Sequence, residues 1–416
     1  MQEDRFNDTE TLRCPYSYFD KVRSESPVYF SPSLQAYVVT RYADAQKVLL
    51  NPALFSSAPR GQVNFFANFA PQYERMYDEA DVPRQLPTLV ITDGKTHLRY
   101  RKHIDSYFNV ASVRELEGKI LKVVDDLIDG FIDDGAVDLY KRFCLRVPLH
   151  LMCDLLGFPR TDAPLLQRAA EASVRLAGGA GETEERRAAL HKDSIDFHRY
   201  AQGHIRRVRT SPDHTLLSAM IHTVPEDGIP MTDQELISML QALNVGGNET
   251  TTNGLGNMFW IALADPAIFS MLRADRSRVP KFAEEALRAE CPVSALPRWA
   301  MQDTEIGGVA IPAGSTIQVN YSAVNRDPEQ FPEPQNIDVE RKSLRNHSAF
   351  GMGPHYCAGA ILARSEMKVA MNRILDRMTS IRLETASSPV FEPKLIVRSV
   401  TTLPIVFEKA GDAVPP

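Results

Sequence analysis

Apolar residues fall on one helical face through much of this chain. Leu116, Ile120, Val123, Val124, Leu127 and Phe131 recur at spacings of three and four and predict an amphipathic helix over 113–132. Met367, Ala370, Met371, Ile374, Leu375 and Met378 stand at i, i+3, i+4, i+7, i+8 and i+11 and predict another, entered from a turn. A much longer one is expected from Thr232, where Thr-x-x-Glu up to Glu235 forms a capping box, to about Ala264, before Asp265-Pro266. Two further helical patterns cover 162–177 and 184–208, and a short one 43–50. β-rich runs at 27–30 and 36–40, separated by Ser31, Pro32 and Ser33, predict a hairpin. Ile311-Pro-Ala-Gly314 marks a turn between strands. The pattern thus predicts a mainly α chain with a smaller β-rich part.

Three stretches resist this pattern. No single helical period covers 55–93, which carries prolines at 59, 71, 83 and 87 and a group of aromatics, Phe65, Phe66 and Phe69. A loop of that length in a compact domain is expected to have a functional job. Gly178-Gly179-Ala180-Gly181, between two helices, makes a mobile connection. The middle of the long helix contains Asn244, Gly246, Gly247, Asn248, Glu249, Thr250, Thr251, Thr252 and Asn253. Two adjacent glycines cost about 1 kcal/mol each relative to alanine, and hydroxyls bonding back to the preceding turn bend a helix. Local conflict of this kind marks functional sites.

Composition narrows the classes. A net charge of −6 with 24% charged residues describes an ordinary acidic protein without a basic tract, which argues against a nucleic-acid partner. Five cysteines without C-x-x-C spacing do not suggest a disulfide framework, so a reducing cytoplasm is the expected compartment. Asp4, Arg5, Asp8, Glu10, Arg13 and Asp20 leave no apolar signal core in the first thirty residues, and no membrane span is expected.

The most informative stretch is Phe350-Gly-Met-Gly-Pro-His-Tyr-Cys-Ala-Gly359, which places Cys357 where a glycine-rich turn enters the helix through Met367. Thiolate is the form that ligates metal, and free N–H groups at a helix N-terminus stabilise it. This Phe-Gly-x-Gly-x-His-x-Cys-x-Gly, followed by Ala360 and Leu362-Ala363-Arg364, resembles the heme-binding loop of the cytochrome P450 family. The resemblance implies one large helical domain over 1–416 around a buried heme b, with about 10–408 matching the family pattern and 409–416 as a tail. It also implies that Cys357 is the proximal thiolate, that Phe350 shields the sulfur and that Gly359 belongs to the cofactor loop.

Other motifs resemble the family in order along the chain. His97-Leu-Arg-Tyr-Arg101 looks like its His-x-x-x-Arg, and with Arg298 and His355 it would meet the heme propionates. Gly246-Gly247-Asn248-Glu249-Thr250-Thr251 looks like the distal oxygen-binding groove, with Thr250 as hydrogen-bond donor to the oxygen being activated and Glu249 as a proton relay. Glu285-Ala-Leu-Arg288 resembles Glu-x-x-Arg, with Arg341 as a third, structural member. By motif position the substrate wall is expected at Val245, Gly246, Ser294 and Ala295 and at Ile396 and Val397 in a final β-rich run, joined by Phe65, Phe66 and Phe69.

These features predict a bacterial-type heme-thiolate monooxygenase acting with O2 on a small to medium-sized hydrophobic substrate, as a monomer. Electrons are expected from a separate ferredoxin and its NAD(P)H-dependent reductase, docking on a basic face around Arg99 and Lys102. A peroxide-driven peroxygenase and a non-catalytic heme sensor are the alternatives. The Glu249–Thr250 pair argues against both, because neither needs protons delivered to reduced oxygen.

Overall fold

The computed structural model describes residues 3–59, 70–178, 182–223, 228–385 and 389–411. Its axis is the Asp233–Ala264 helix, 32 residues long, which at about 1.5 Å per residue extends about 48 Å. Thr232 caps it: Oγ1 accepts from Glu235 N at 3.2 Å while Glu235 Oε2 accepts from Thr232 N at 2.8 Å. Asp265 ends it in extended backbone and starts the Pro266–Ala274 helix by accepting from Ala267 N at 3.0 Å. The chain turns by 101° there.

Around this axis pack the helices Arg146–Leu156, Ala163–Gly178, Glu184–Thr210, Val279–Ala289 and Ala360–Arg377. Leu236, Leu240, Leu255, Met258 and Phe259 of the long helix are buried among them. Each such side chain contributes about 1.5–3 kcal/mol on burial, which outweighs about 1 kcal/mol for each of Gly246 and Gly247. The helix therefore runs through its polar middle unbroken. Its amides bond outward instead: Gln241 Nε2 donates to Ala169 O at 2.9 Å and Asn244 Nδ2 to Leu166 O at 2.8 Å, both on the Ala163–Gly178 helix.

Five strands lie in the spatial order Val28–Ser31, Ala36–Val39, Thr316–Asn320, Ala295–Ala300 and Phe55–Ser56. The first two form the expected hairpin, with Val28 opposite Val39. Ala36–Val39 runs parallel to Thr316–Asn320, and the remaining pairs are antiparallel. This sheet carries Arg298, opposite Ile317, toward the site.

Two expectations change. The 55–93 stretch is not one loop, because Pro71–Glu79 is a helix with Pro71 in its first turn, where a missing N–H costs nothing. The run containing Ile396 and Val397 is not a strand. It pairs through the isolated bridges Val293–Val397 and Phe391–Val400, and the nearby Pro389 and Pro393 supply no N–H to a ladder. Phe65, Phe66 and Phe69, residues 179–181 of the glycine-rich connection and the tail 412–416 lie outside the described residues. Among the described residues no single helix is long and apolar enough to cross a membrane.

Behind the cysteine loop, Glu285, Arg288 and Arg341 meet in the core. Glu285 takes both guanidinium bonds of Arg288 at 2.8 Å and one from Arg341 at 3.2 Å, and it also accepts from Asp338 N at 3.0 Å. Arg288 spends its remaining donors on Asn325 O and Asn336 O at 3.0 and 3.2 Å.

Candidate active site

Cys357 lies in the loop before the Ala360–Arg377 helix, whose N-cap is Gly359. Gly351 and Gly353 wind this loop at φ 70° and 67°. A Cβ on Gly353 would stand 2.7 Å from Leu49 O, so no other residue fits without moving backbone. Cys357 N closes the turn on Phe350 O at 2.9 Å. Phe350 is held from its far side by Arg364, 4.3 Å from the ring centroid. Glu284 grips that guanidinium at 2.5 and 3.0 Å and pairs with His347 Nε2 at 2.9 Å. The Cys357 side chain is exposed, yet protein surrounds it closely enough for burial to push its thiol pKa up. The Gly359 N–H, Arg101 and Arg364 act in the opposite direction.

Asp93 organises a second cluster. It accepts from Ser56 Oγ at 2.5 Å, Ser57 N at 2.8 Å and Ala58 N at 3.1 Å, and it pairs with His355 Nε2 at 3.0 Å. Burial opposes its ionisation, but these bonds hold the carboxyl well below its usual range. His97 stacks on His355 at 4.2 Å. Burial, then His355 and Arg101, lower the His97 pKa to about 4. Arg101 reaches Asp105 and Tyr356 O, each at 2.8 Å. Arg298 is 5% exposed and donates to Pro297 O at 2.8 Å, and among the described residues no carboxylate pairs with it.

On the long helix, Thr250 Oγ1 donates to Gly246 O at 2.6 Å, and Glu249 faces Lys394 Nζ at 3.6 Å. The two glycines differ. A Cβ on Gly246 would meet nothing within 4 Å, whereas one on Gly247 would overlap the Met152 sulfur. Asn248 Oδ1, Thr252 Oγ1 and both amide atoms of Asn253 are buried without partners among the described residues. Ser294 N donates to Ile396 O at 2.7 Å, which joins the two halves of the expected wall. Val245, Gly246, Ser294 and Ile396 remain accessible. Ala295 and Val397 do not, being 2% and 3% exposed, because the sheet and the Val293–Val397 bridge cover them.

Residues 181–403 match the family model described as Cytochrome P450. The Vitamin D(3) 25-hydroxylase of Pseudonocardia autotrophica is 31% identical over 97% of this chain and 96% of its own length. The chain belongs to the cytochrome P450 family. Another P450, the 6-deoxyerythronolide B hydroxylase of Saccharopolyspora erythraea, is 31% identical over 94% of this chain and 95% of its own. The Tepidiphilus thermophilus P450 heme domain superposes with a TM-score of 0.88 at 26% identity, covering 97% of this chain and 96% of that one. Members of this oxidoreductase family hold heme b and use O2. The residues here fit that group: Arg298 is a buried cation that no carboxylate pairs with among the described residues, and Cys357 is an exposed thiol on the glycine-wound loop.

Several residues of this P450 site escaped the sequence patterns. Asp93 and Glu284 are single carboxylates in unremarkable contexts, and only their partners reveal them. Arg364 stood in the sequence motif only as part of the helix start, with no role assigned to it. Lys394 puts a cation near Ile396 that no motif pointed to. Arg99 is not part of an open basic face: it is bound to Glu235 at 2.6 Å and to the carbonyls of Ile229 and Pro230 at 3.3 Å. A cleft of about 1010 Å³ opens elsewhere, between Lys119, Phe158, Tyr200 and Arg207, and none of the site residues lines it.

Proposed function

We propose that this P450 is a monooxygenase that hydroxylates a small to medium-sized hydrophobic molecule, and that the Cys357 thiolate is the residue that would hold the heme iron. The observation that carries the reading is an exposed Cys357 on the glycine-wound loop whose helix packs on the uninterrupted long helix carrying Glu249 and Thr250 beside an open Gly246. Bound heme supplies the oxidising chemistry: O2 takes up two electrons and two protons, one oxygen atom entering a C–H bond and the other leaving as water.

The chain's own part is ligation, charge balance and proton delivery. Arg101 and Arg298 offer positive charge to the two heme carboxylates, while His97 and His355 offer ring N–H groups. Thr250 gives its one proton to Gly246 O, so its oxygen accepts from the groove, and donation into the groove requires the hydroxyl to turn about its Cβ–Oγ1 bond and give up that contact. Burial raises the Glu249 pKa above the ordinary carboxyl value, the direction that helps a carboxyl hold a proton it is to pass on. Val245, Gly246, Ser294 and Ile396 present little polar side-chain chemistry, which favours an apolar substrate held by buried area.

Electrons reach it from a separate ferredoxin and an NAD(P)H-dependent reductase. Leu98, Lys102 and Tyr356 are exposed, and the Arg101–Tyr356 bond places their helix beside the cysteine loop, where such a partner docks. The deciding experiment compares product formed from NADH, ferredoxin and reductase with product formed from hydrogen peroxide alone. Product in the first case with little in the second is expected, and the reverse pattern identifies a peroxygenase.

A further inference from the structure

A chain of ion pairs ties Glu249 to the Ala163–Gly178 helix through two residues that no sequence motif singled out. Lys394 Nζ stands 2.9 Å from Glu392 Oε2 and 3.6 Å from Glu249 Oε1. Glu392 Oε1 also accepts from Arg175 Nη2 at 2.9 Å. Arg175, in the last turn of its helix, further holds Glu171 at 2.9 Å and Glu182 at 3.1 Å. The Lys394 and Glu249 side chains are each 17% exposed, so solvent and salt screen their attraction only in part. One ammonium thus serves two carboxylates, and Arg175 competes with it for one of them.

We propose that Lys394 is a positioning residue that sets the charge of Glu249, and that Arg175 tunes this by holding Glu392, so the place of the Ala163–Gly178 helix governs the proton relay. This rests on reading Glu249 as that relay. With Arg175 on Glu392, Lys394 is shared, 2.9 Å from Glu392 and 3.6 Å from Glu249, and favours the ionised form of Glu249. When the helix withdraws Arg175, Glu392 captures Lys394, and Glu249, left in a buried setting, takes up a proton. The ionisable groups facing Glu249 are Lys394 and Glu392 from the 389–400 segment, Glu171 from the Ala163–Gly178 helix and the Tyr140 phenol. Burial is the largest influence on Glu249 and raises its pKa, and Lys394 is the main influence in the other direction. Tyr140 donates to or accepts from Ser399 at 3.0 Å, and burial keeps the phenol protonated throughout the relevant range.

The test follows the protonated-carboxyl infrared band of the heme-loaded full chain against pH, assigned to Glu249 by its loss in Glu249→Gln. Lys394→Met is expected to raise the pH of half-protonation by about 1–3 units, and Lys394→Arg to return it toward the parent. Glu392→Gln, which releases Lys394 to Glu249, should lower it. Arg175→Met should raise it less than Lys394→Met does. A network that merely braces the fold would not give opposite signs for Lys394→Met and Glu392→Gln, and shifts in the same direction overturn the proposal. If Lys394→Met does not fold, the isosteric Glu392→Gln still decides the sign. The peroxide released per NADH should follow the same pH shifts. Infrared shifts without that parallel overturn the relay reading of Glu249, and the positioning role with it. A parent chain that turns over only with peroxide fails the proposed function and leaves the infrared result standing.

Discussion

Buried polar groups behind the cysteine loop and those along the middle of the long helix obey opposite rules. Glu285 receives four hydrogen bonds from Arg288, Arg341 and Asp338, and Arg288 is 0% exposed with its guanidinium bonded to Glu285 and two carbonyls. On the long helix, by contrast, Gln241 Oε1, Asn244 Oδ1, Asn248 Oδ1, Thr252 Oγ1 and both Asn253 amide atoms are buried without a partner among the described residues. A buried polar atom left unpaired costs about 1–3 kcal/mol. The first region is therefore built for rigidity, and the second forgoes stability along the stretch that carries Glu249 and Thr250. Glu366, buried with Oε2 unpaired and its pKa pushed well above the ordinary value, belongs with the second group although it lies on the cysteine helix.

The largest effect is expected at the rigid side's single reactive atom. Cys357→Ser should give protein with little heme or with an altered axial ligand, since a neutral alcohol replaces thiolate poorly. The reduced carbon monoxide complex reports this, and thiolate-type absorption surviving in the variant would remove Cys357 from its role.

Next comes a direct trial of the contrast itself. Glu285→Ala leaves Arg288 and Arg341 as buried cations without their acid, and should cost about 3–5 kcal/mol in urea unfolding. Asn253→Ala removes two polar atoms that have no partner to lose, and should stay within about 1 kcal/mol of the parent. Equal costs would mean that ordered water satisfies Asn253 as fully as Arg288 satisfies Glu285, and the two regions would not differ.

The same contrast explains what was legible in the sequence. The Thr232–Glu235 capping box and the i, i+3, i+4 stripes through Leu116 and Met367 are local, and helices form there at Val110–Asp129, Asp233–Ala264 and Ala360–Arg377, with Phe131 and Met378 of the stripes just beyond the helix ends. Glycine positions at 351 and 353 were legible because a positive φ restricts residue type. Asp93 and Glu284 were not, because partners 37 and 80 residues away leave no spacing to read, and Glu392 and Lys394 were not, because Arg175 and Glu249, which give them their place, come from distant helices. The polar middle of the long helix was recognised as a conflict with helix propensity, but its continuity depended on packing against neighbouring helices. That information is absent from any local window.

Acid and alkaline limbs of stability separate two carboxyls of opposite sign. Burial opposes ionisation of Glu284, yet His347 and Arg364 hold its pKa down to about 2. Such a group stabilises the fold above the ordinary value of 4.5, and that contribution is lost as pH falls toward 2. Glu249 has a raised pKa, so it weakens the fold as pH rises from 4.5 through its folded value. Glu284→Gln should flatten the rising limb on the acid side, and Glu249→Gln the falling limb above it, in urea titrations run across that range. Loss of the same limb in both variants would break the assignment of opposite environments.

The smallest and sharpest effect is expected from the two adjacent glycines. Both lower helix propensity by about 1 kcal/mol relative to alanine, so replacement restores that amount wherever there is room. At Gly246 there is, since nothing lies within 4 Å of the Cβ position, and Gly246→Ala should stabilise the protein by up to about 1 kcal/mol. At Gly247 the new methyl meets the Met152 thioether, which must swing aside. Methionine adapts more readily than a branched side chain, so the overpacking cost falls near the low end of about 1–3 kcal/mol and cancels the propensity gain. Gly247→Ala should thus be neutral to slightly destabilising. Gly246 is then kept small by the groove rather than by the fold, and Gly246→Phe should abolish the substrate-induced spectral shift while heme remains bound. If Gly246→Ala destabilises instead, the space before it is already filled, and the substrate wall lies elsewhere.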